Sequence, residues 1–319
     1  MIRTFRRALG GASLLVLALA VSTPAAHAHA IAGDRVFVNT LLIDDPGTAD
    51  EASLPSFSVT SPDGKTTDFG LGFEYDKTIF DNLAVGVSDG WDMLGNDQDN
   101  LTDLGKGKTH GGMGNLALDL KYRWIVMPEH EFMSSVAVER DFGRAGTSGF
   151  DDGFNSTTFS AYFGKGLGDI PFTPIRPFAI TGEFDYTVPD AGVTSGAGDV
   201  TAYSGGLTLQ YSIPYLQSQI KDYGLPVALA NLTPLVELGW SSAAGSSALR
   251  PTDHPTTFQL GTGAVWTGQD CAFSTELLWP LNGNSGHGLG VIGEFHLYFD
   301  DLFPNSIGKP IFSGTPFQL

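Results

Sequence analysis

From Phe69 onward the chain alternates. Phe69, Leu71, Phe73 and Tyr75 take every second position, and after a polar break Leu83, Val85 and Val87 do so again. Gly70, Gly72, Glu74, Ala84, Gly86 and Ser88 fill the places between. A period of two marks strands, and DKTIFDN, between the two runs, has the length of a hairpin turn. The pattern continues to the C-terminus and predicts twelve strands: 54–60, 67–75, 82–91, 113–126, 130–142, 156–165, 175–187, 200–213, 230–241, 256–267, 271–280 and 287–299. The first is the weakest, because PSFSVT is short and opens with proline. Several exceed the usual five or six residues and match the roughly nine to eleven needed to cross a bilayer at a tilt.

Connection lengths alternate as well. DKTIFD, MPEH and TGQD are short, whereas 92–112, 143–155, 188–198 and 241–255 are long and polar. Short turns on one side with long loops on the other are the plan of outer-membrane barrels. Two short-side connections depart from it: GKGLGDIPFTP is longer than a tight turn, and IPYLQSQIKDYGLPVAL has room for a helical turn.

The two faces differ in chemistry. One parity carries Leu116, Leu118, Leu120, Tyr122 and Trp124, then Phe132, Val136, Val138, Phe159, Phe163, Phe178, Ile180, Phe184 and Tyr186, and near the end Leu289, Val291, Phe295, Leu297 and Phe299. The other carries Glu74, Asp119, Lys121, Arg123, Glu139, Asp141, Glu183, Asp185, Glu237, Gln259, Glu276, Glu294 and His296. A soluble sandwich would bury the first face and expose the second; a closed barrel in lipid does the reverse. Trp91, Trp124, Trp240, Trp266 and Trp279 fall near predicted strand ends, as two membrane-interface girdles would place them. The expectation is an all-β chain forming a transmembrane antiparallel up-and-down β-barrel of twelve strands, with both termini in the periplasm. Its apolar face then buries against lipid. Asp89 and Arg140 have outward parity near the long-loop rim, where Arg140 is read as a solvated rim charge.

The N-terminus is a separate unit. MIRTFRRALGGASLLVLALAVSTPAAHAHA has three arginines, an apolar run and small residues, the order of a Sec-type signal peptide over 1–30. Cleavage after Ala28 and after Ala30 fit equally. Loss of Arg3, Arg6 and Arg7 takes the formal charge from −18 to −21, which argues against nucleic acid as a partner. Cys271 is the only cysteine, so no disulfide framework holds the exported chain, and the thiol reads as a small packing residue. Residues 31–53 are expected to lie inside or under the barrel (54–303), and 304–319 to form a periplasmic tail.

FEYDKTIFDNLAVGVS, GNLALDLKYRWIVMPEHEFMSSVAVERDFG and FGKGLGDIPFTPIRPFAITGEFDY resemble segments of proteobacterial outer-membrane barrels of the meta-pathway phenol-degradation type, over about residues 60 to 303. AHAHAIAGDRVF, IDDPGTADEASLPSF and FDDLFPNSIGKPIF are similar to a narrower group of exported proteins. The resemblance implies a transporter-like outer-membrane barrel for small or hydrophobic organic molecules, and no catalytic residues.

Parity puts Glu74, Asp119, Glu139, Asp141, Glu183, Asp185, Glu237, Glu276 and Glu294 in the lumen against Lys121 and Arg123, with His296 beside them. A wet lumen so lined favours cations; alternatively the same residues pair into a closed polar plug. A rival of another class is an envelope-lipid-modifying barrel enzyme. Its histidine candidates are His110, His130, His254, His287 and His296, but no G-x-S-x-G elbow occurs, and SGHG offers only Ser285 two residues from His287. Asp97, Asp99 and Asp103 lack the glycine and closing glutamate of a calcium loop. His29, if made N-terminal by cleavage, lacks a second ligand set for copper. No cofactor, metal or catalysis is expected. The expected partners are outer-membrane lipid and lipopolysaccharide, a small-molecule solute and the barrel-assembly machinery.

Overall fold

The computed structural model describes residues 30–61, 66–96, 109–151, 153–190, 201–244 and 256–315. Two short strands, β1 (Ala30–Ala32) and β2 (Arg35–Phe37), pair only with each other. Next come β3 (Glu51–Thr60), β4 (Thr66–Phe80), β5 (Leu83–Asn96), β6 (Thr109–Met113) and β7 (Leu116–Met127). They are followed by β8 (Phe132–Phe142), β9 (Ser156–Gly166), β10 (Phe178–Pro189) and β11 (Ala202–Tyr211). The last four are β12 (Leu232–Ala243), β13 (Thr256–Thr267), β14 (Cys271–Pro280) and β15 (Gly290–Tyr298).

From β3 to β15 each strand pairs antiparallel with the next, except that β6 and β7 share one partner, and β15 returns to β3, Val291 opposite Val59. β6 and β7 both lie on β5, with Gly114 N–H given to Gly90 O at 2.8 Å where they meet. They act as one interrupted strand, so the wall is a closed twelve-stranded antiparallel barrel. Closure leaves no sheet edge unpaired.

Two local expectations need correction. Most of DKTIFDN is strand, because Lys77 pairs with Val85 and Thr78 with Ala84, leaving Asp81 and Asn82 as the turn. The first strand is ten residues long, and its proline is accommodated at an irregularity between Ser53 and Ser56, where the missing N–H breaks no ladder. A second irregularity lies between Arg123 and Ile125, at the exposed Trp124.

The outer surface is apolar. Phe159, Leu207, Phe273, Phe184 and Leu118 are all exposed on it. The inside is polar, and it is occupied. Residues 38–50 enter at the mouth ringed by the short connections, rise to mid-bore at Leu41–Asp44, and descend to Asp50 before continuing as β3. The ascent is marked by Val38 against Gln210, and the descent by Thr48 against the Asp81 carbonyl and Asp50 against Lys77 and Thr78. At the same mouth the C-terminal residues fold back along β4, Ile311 and Phe312 giving their N–H groups to the Thr78 and Ile79 carbonyls.

Candidate functional site

Residues 38–44 form no ladder with the wall, so their backbone donors must find side-chain partners. The inward carboxylates supply them. Glu237, fully buried, accepts the N–H groups of Leu41 at 3.0 Å and Leu42 at 2.9 Å on one oxygen, and the Thr208 hydroxyl at 2.6 Å on the other. Glu183 accepts the Asp44 N–H at 2.8 Å, and Lys121 closes on the Asp44 carboxylate at 2.6 Å while lying over the Tyr162 ring. Asn39 donates to Glu294 at 2.9 Å and lies 3.1 Å from His296, which also contacts Glu51 and Ser53. Ser135 bonds the Pro46 carbonyl.

Three apolar side chains, Leu41, Leu42 and Ile43, are thus held in a polar bore. They fit because the facing wall is thinned by glycine. A Cβ on Gly206 would stand 2.6 Å from Ile43 Cγ2, and one on Gly261 3.2 Å from Leu42 Cδ1. Below them the β1–β2 hairpin is pinned by Arg35, which is fully buried. Its guanidinium pairs with Glu131 at 3.1 Å, reaches the Arg176 and Pro177 carbonyls, and stacks 3.8 Å above the Tyr215 ring. Burial, followed by the neighbouring Glu131, pushes the Tyr215 phenol up to about 12.

Alongside the segment lies a cavity of about 530 Å³, bounded on one side by Asn39–Asp44 and Gly47–Ala49 and reaching from Glu51 and Asp76 up to Thr187 and Ser204. Of the twelve inward residues read from parity, Glu74, Asp119, Lys121, Glu139, Glu183, Asp185, Glu294 and His296 line it. The other four do not. Glu237 and Glu276 are buried, Glu237 directly beneath Leu41 and Leu42, with Glu276 against Gly261. Arg123 bonds the Asp81 carbonyl at the short-connection mouth, and Asp141 accepts from Ser156. Parity missed Asp44, Glu51 and Asp76, which bring the carboxylates on the cavity to nine against Lys121 and His296. Asp76 continues the inward parity of Glu74 within the run read as a turn. Ser56, Ser88, Thr158, Ser160, Thr187 and Ser204 add hydroxyl groups to the lining, and Ala84, Ala137, Tyr162 and Ile292 add less polar surface. A second cavity of about 400 Å³ adjoins it through Leu42, Glu183, Asp185 and Ser204 and extends to Thr257, Gln259 and Asn284.

One likeness to a solved structure carries weight, and for the fold alone. An outer membrane channel from Pseudomonas putida F1 superposes with a TM-score of 0.56 at 11% identity, over 82% of this chain and 99% of that one. The chain has the fold of an outer-membrane channel. Weaker likenesses are the NanC porin, with a TM-score of 0.46 at 6% identity over 78% and 99% of the chains, and LpxR from Salmonella typhimurium, at 0.42 and 11% over 78% and 100%. No family model matches the sequence, and no curated protein does.

The remaining candidates separate. Ser285 Oγ lies 2.7 Å from both the Phe258 carbonyl and Asn282 Oδ1, so its hydroxyl organises a loop and makes no recorded bond to His287. His130 lies 3.5 Å from Asp169 at the surface. Arg140 is engaged bidentately by Asp190 and bonds Thr157, and that pairing holds the Asp190 carboxyl below its usual range. Trp124, Trp240, Trp266 and Trp279 stand within three residues of a strand end, but β5 runs on to Asn96, so Trp91 lies five residues inside it. Trp124 and Trp279 give their indole N–H groups to Ser134 and Thr262 on neighbouring strands. Among the described residues no group of three or more metal-ligating side chains forms a metal site. Asp97, Asp99, Asp103, His29, His254 and nearly all of the 1–30 leader lie outside the described residues, as does the side chain of His110.

Proposed function

We propose that this chain is a barrel of the Gram-negative outer membrane that passes small cationic solutes, with its bore narrowed by its own residues 38–50. The observation that carries this is the cavity beside residues 39–49, where nine carboxylates outnumber Lys121 and His296. Such a lining concentrates cations and repels anions, as rings of charged side chains do in pores. The broad exposed apolar wall supports a lipid surround, with outer-membrane lipid and lipopolysaccharide outside and delivery by the barrel-assembly machinery.

The resemblance to the phenol-pathway barrels supports the transporter class. A neutral ring, however, needs an apolar pocket, and among the described residues the only large aliphatic side chains on this cavity are Leu41, Leu42, Ile43 and Ile292, beside nine carboxylates. The cargo proposed here is therefore a small cation. Because residues 39–44 line the cavity and occupy the bore beside it, their displacement widens the aperture.

Planar-bilayer recording of refolded protein under a salt gradient tests the reading. The expected reversal potential is that of a cation-selective pore, moving toward zero in the triple variant Glu74→Gln, Glu139→Gln, Asp185→Asn. Equal permeability to chloride and potassium in the parent protein would refute it.

A further inference from the structure

The longest short-side connection, residues 212–231, is built differently from the tight turns beside it. Its first part is buried: Ser212 caps a helical turn, and Tyr215 lies under Arg35. Its second part is bare. Val227 is 68% exposed, Tyr223 57% and Leu229 48%, with Phe172 of the neighbouring connection at 57%. Phe159 and Phe273 on the barrel wall are each 53% exposed. These residues lead directly into β12, where Leu232 stands opposite Trp266, and the outward Val236 continues the apolar stripe. Lys221 lies 5.0 Å over the Tyr223 ring, placing one ammonium beside the apolar group.

We propose that residues 221–230 are a phospholipid-binding shoe on the short-connection side of the barrel. Val227 and Leu229 enter the acyl region, the Tyr223 ring sits at its boundary, and the Lys221 ammonium meets a lipid phosphate. A short run of exposed apolar side chains with a cation at its edge has the composition of an interfacial anchor. Lipid is the occupant because the patch is continuous with the wall stripe; a protein partner has no such continuity to explain. The proposal rests on the membrane reading above, but not on which solute passes.

The test uses the full chain with Cys271→Ser, reconstituted in phosphatidylethanolamine/phosphatidylglycerol vesicles and spin-labelled at Val227→Cys. Phe273→Cys on the wall and Gly283→Cys in a long-side loop are references. Power saturation compares relaxation by oxygen, which partitions into lipid, with relaxation by an aqueous nickel chelate. The expected result is that the 227 label follows the 273 label in preferring oxygen, and that Lys221→Glu lowers that preference. A 227 label that follows 283 overturns the proposal. So does a label shielded from both relaxants, which signals cover by a second copy, and Lys221→Glu without effect overturns the phosphate contact. Nickel access at 273 as well would instead overturn the membrane reading and the proposal with it.

Discussion

Replacing Glu237 by leucine isolates the force that holds the segment at mid-bore. The substitution keeps side-chain bulk and strands three donors, the N–H groups of Leu41 and Leu42 and the Thr208 hydroxyl. Each buried donor left without an acceptor costs about 1–3 kcal/mol. The Thr208 bond lies within the wall, so the two segment N–H groups alone count. Even their low end sums to about 2 kcal/mol against the docked state, a shift of roughly thirtyfold in the docking equilibrium. Loss of the carboxylate also relieves its repulsion of the neighbouring Glu276. That relief lies within the wall and is felt with the segment in or out, so it largely cancels. Thermolysin cuts before Leu and Ile, and in the folded barrel it reaches residues 41–43 only when the segment is out. Where reclosing is fast, the cutting rate follows the open population. The expected result in detergent is cleavage at 41–43 about thirtyfold faster for Glu237→Leu, with Glu237→Gln within a few-fold of the parent because its amide oxygen still accepts. Equal rates in Glu237→Leu and the parent would refute the assignment of Glu237 as anchor.

The same assay separates two glycines. Gly206→Ala, whose Cβ would stand 2.6 Å from Ile43 and from the Leu238 carbonyl, is expected to loosen the segment by about 1–3 kcal/mol, whereas Gly239→Ala, with nothing nearer than 3.7 Å, leaves cleavage unchanged. Arg35→Met removes one partner of a buried ion pair and is expected to cost about 3–5 kcal/mol by thermal unfolding in detergent, less in a Glu131→Gln background because the two act as one unit. Asp300, just past β15, has its carboxyl pushed up to about 8, chiefly by burial and then by Glu51. The folded chain therefore holds a proton that the unfolded chain releases near pH 4, so this contribution to stability is full below about pH 4 and is lost as pH rises through about 8. Thermal midpoints measured between pH 5 and 9 should fall less steeply in Asp300→Asn than in the parent.

The wall was legible in the sequence because its signal is repeated. Alternation across twelve segments specifies register wherever the two faces meet different surroundings, and a strand such as β13, with Thr262 outward and Gly261 and Gly263 inward, is carried by its neighbours. The 77–80 run was misread because Asp76, Lys77 and Thr78 are polar enough to pass for a turn, although Asp76 and Thr78 keep the inward parity of Glu74. The partners of the inward carboxylates were not legible. They come from residues 38–50, which have no period, and their pairing with Glu183, Glu237 and Glu294 spans 139 to 255 positions in the chain.

A trace of that pairing is present nonetheless. Leu41-Leu42-Ile43 is an apolar triplet between Thr40 and Asp44, too short for a strand of the wall and apolar where a periplasmic linker would be polar. Gly206, Gly239 and Gly261 fall at inward positions of three adjacent strands, and their pairings, Gly206 with Gly239 and Glu237 with Gly261, put them beside Glu237. A glycine in a strand interior weakens the strand unless another chain approaches closely there. Three together ask for an apolar guest, and the triplet is the segment of matching size on the tether that leads into β3. The carboxylate at their centre then has a physical reason to be buried: it accepts the guest's backbone donors in a place water does not reach. Glu74, Asp119, Glu139 and Asp185 line the open cavity instead. On the proposed function their charge is available to a mobile cation, so one inward face would both dock the chain's own segment and select the solute beside it.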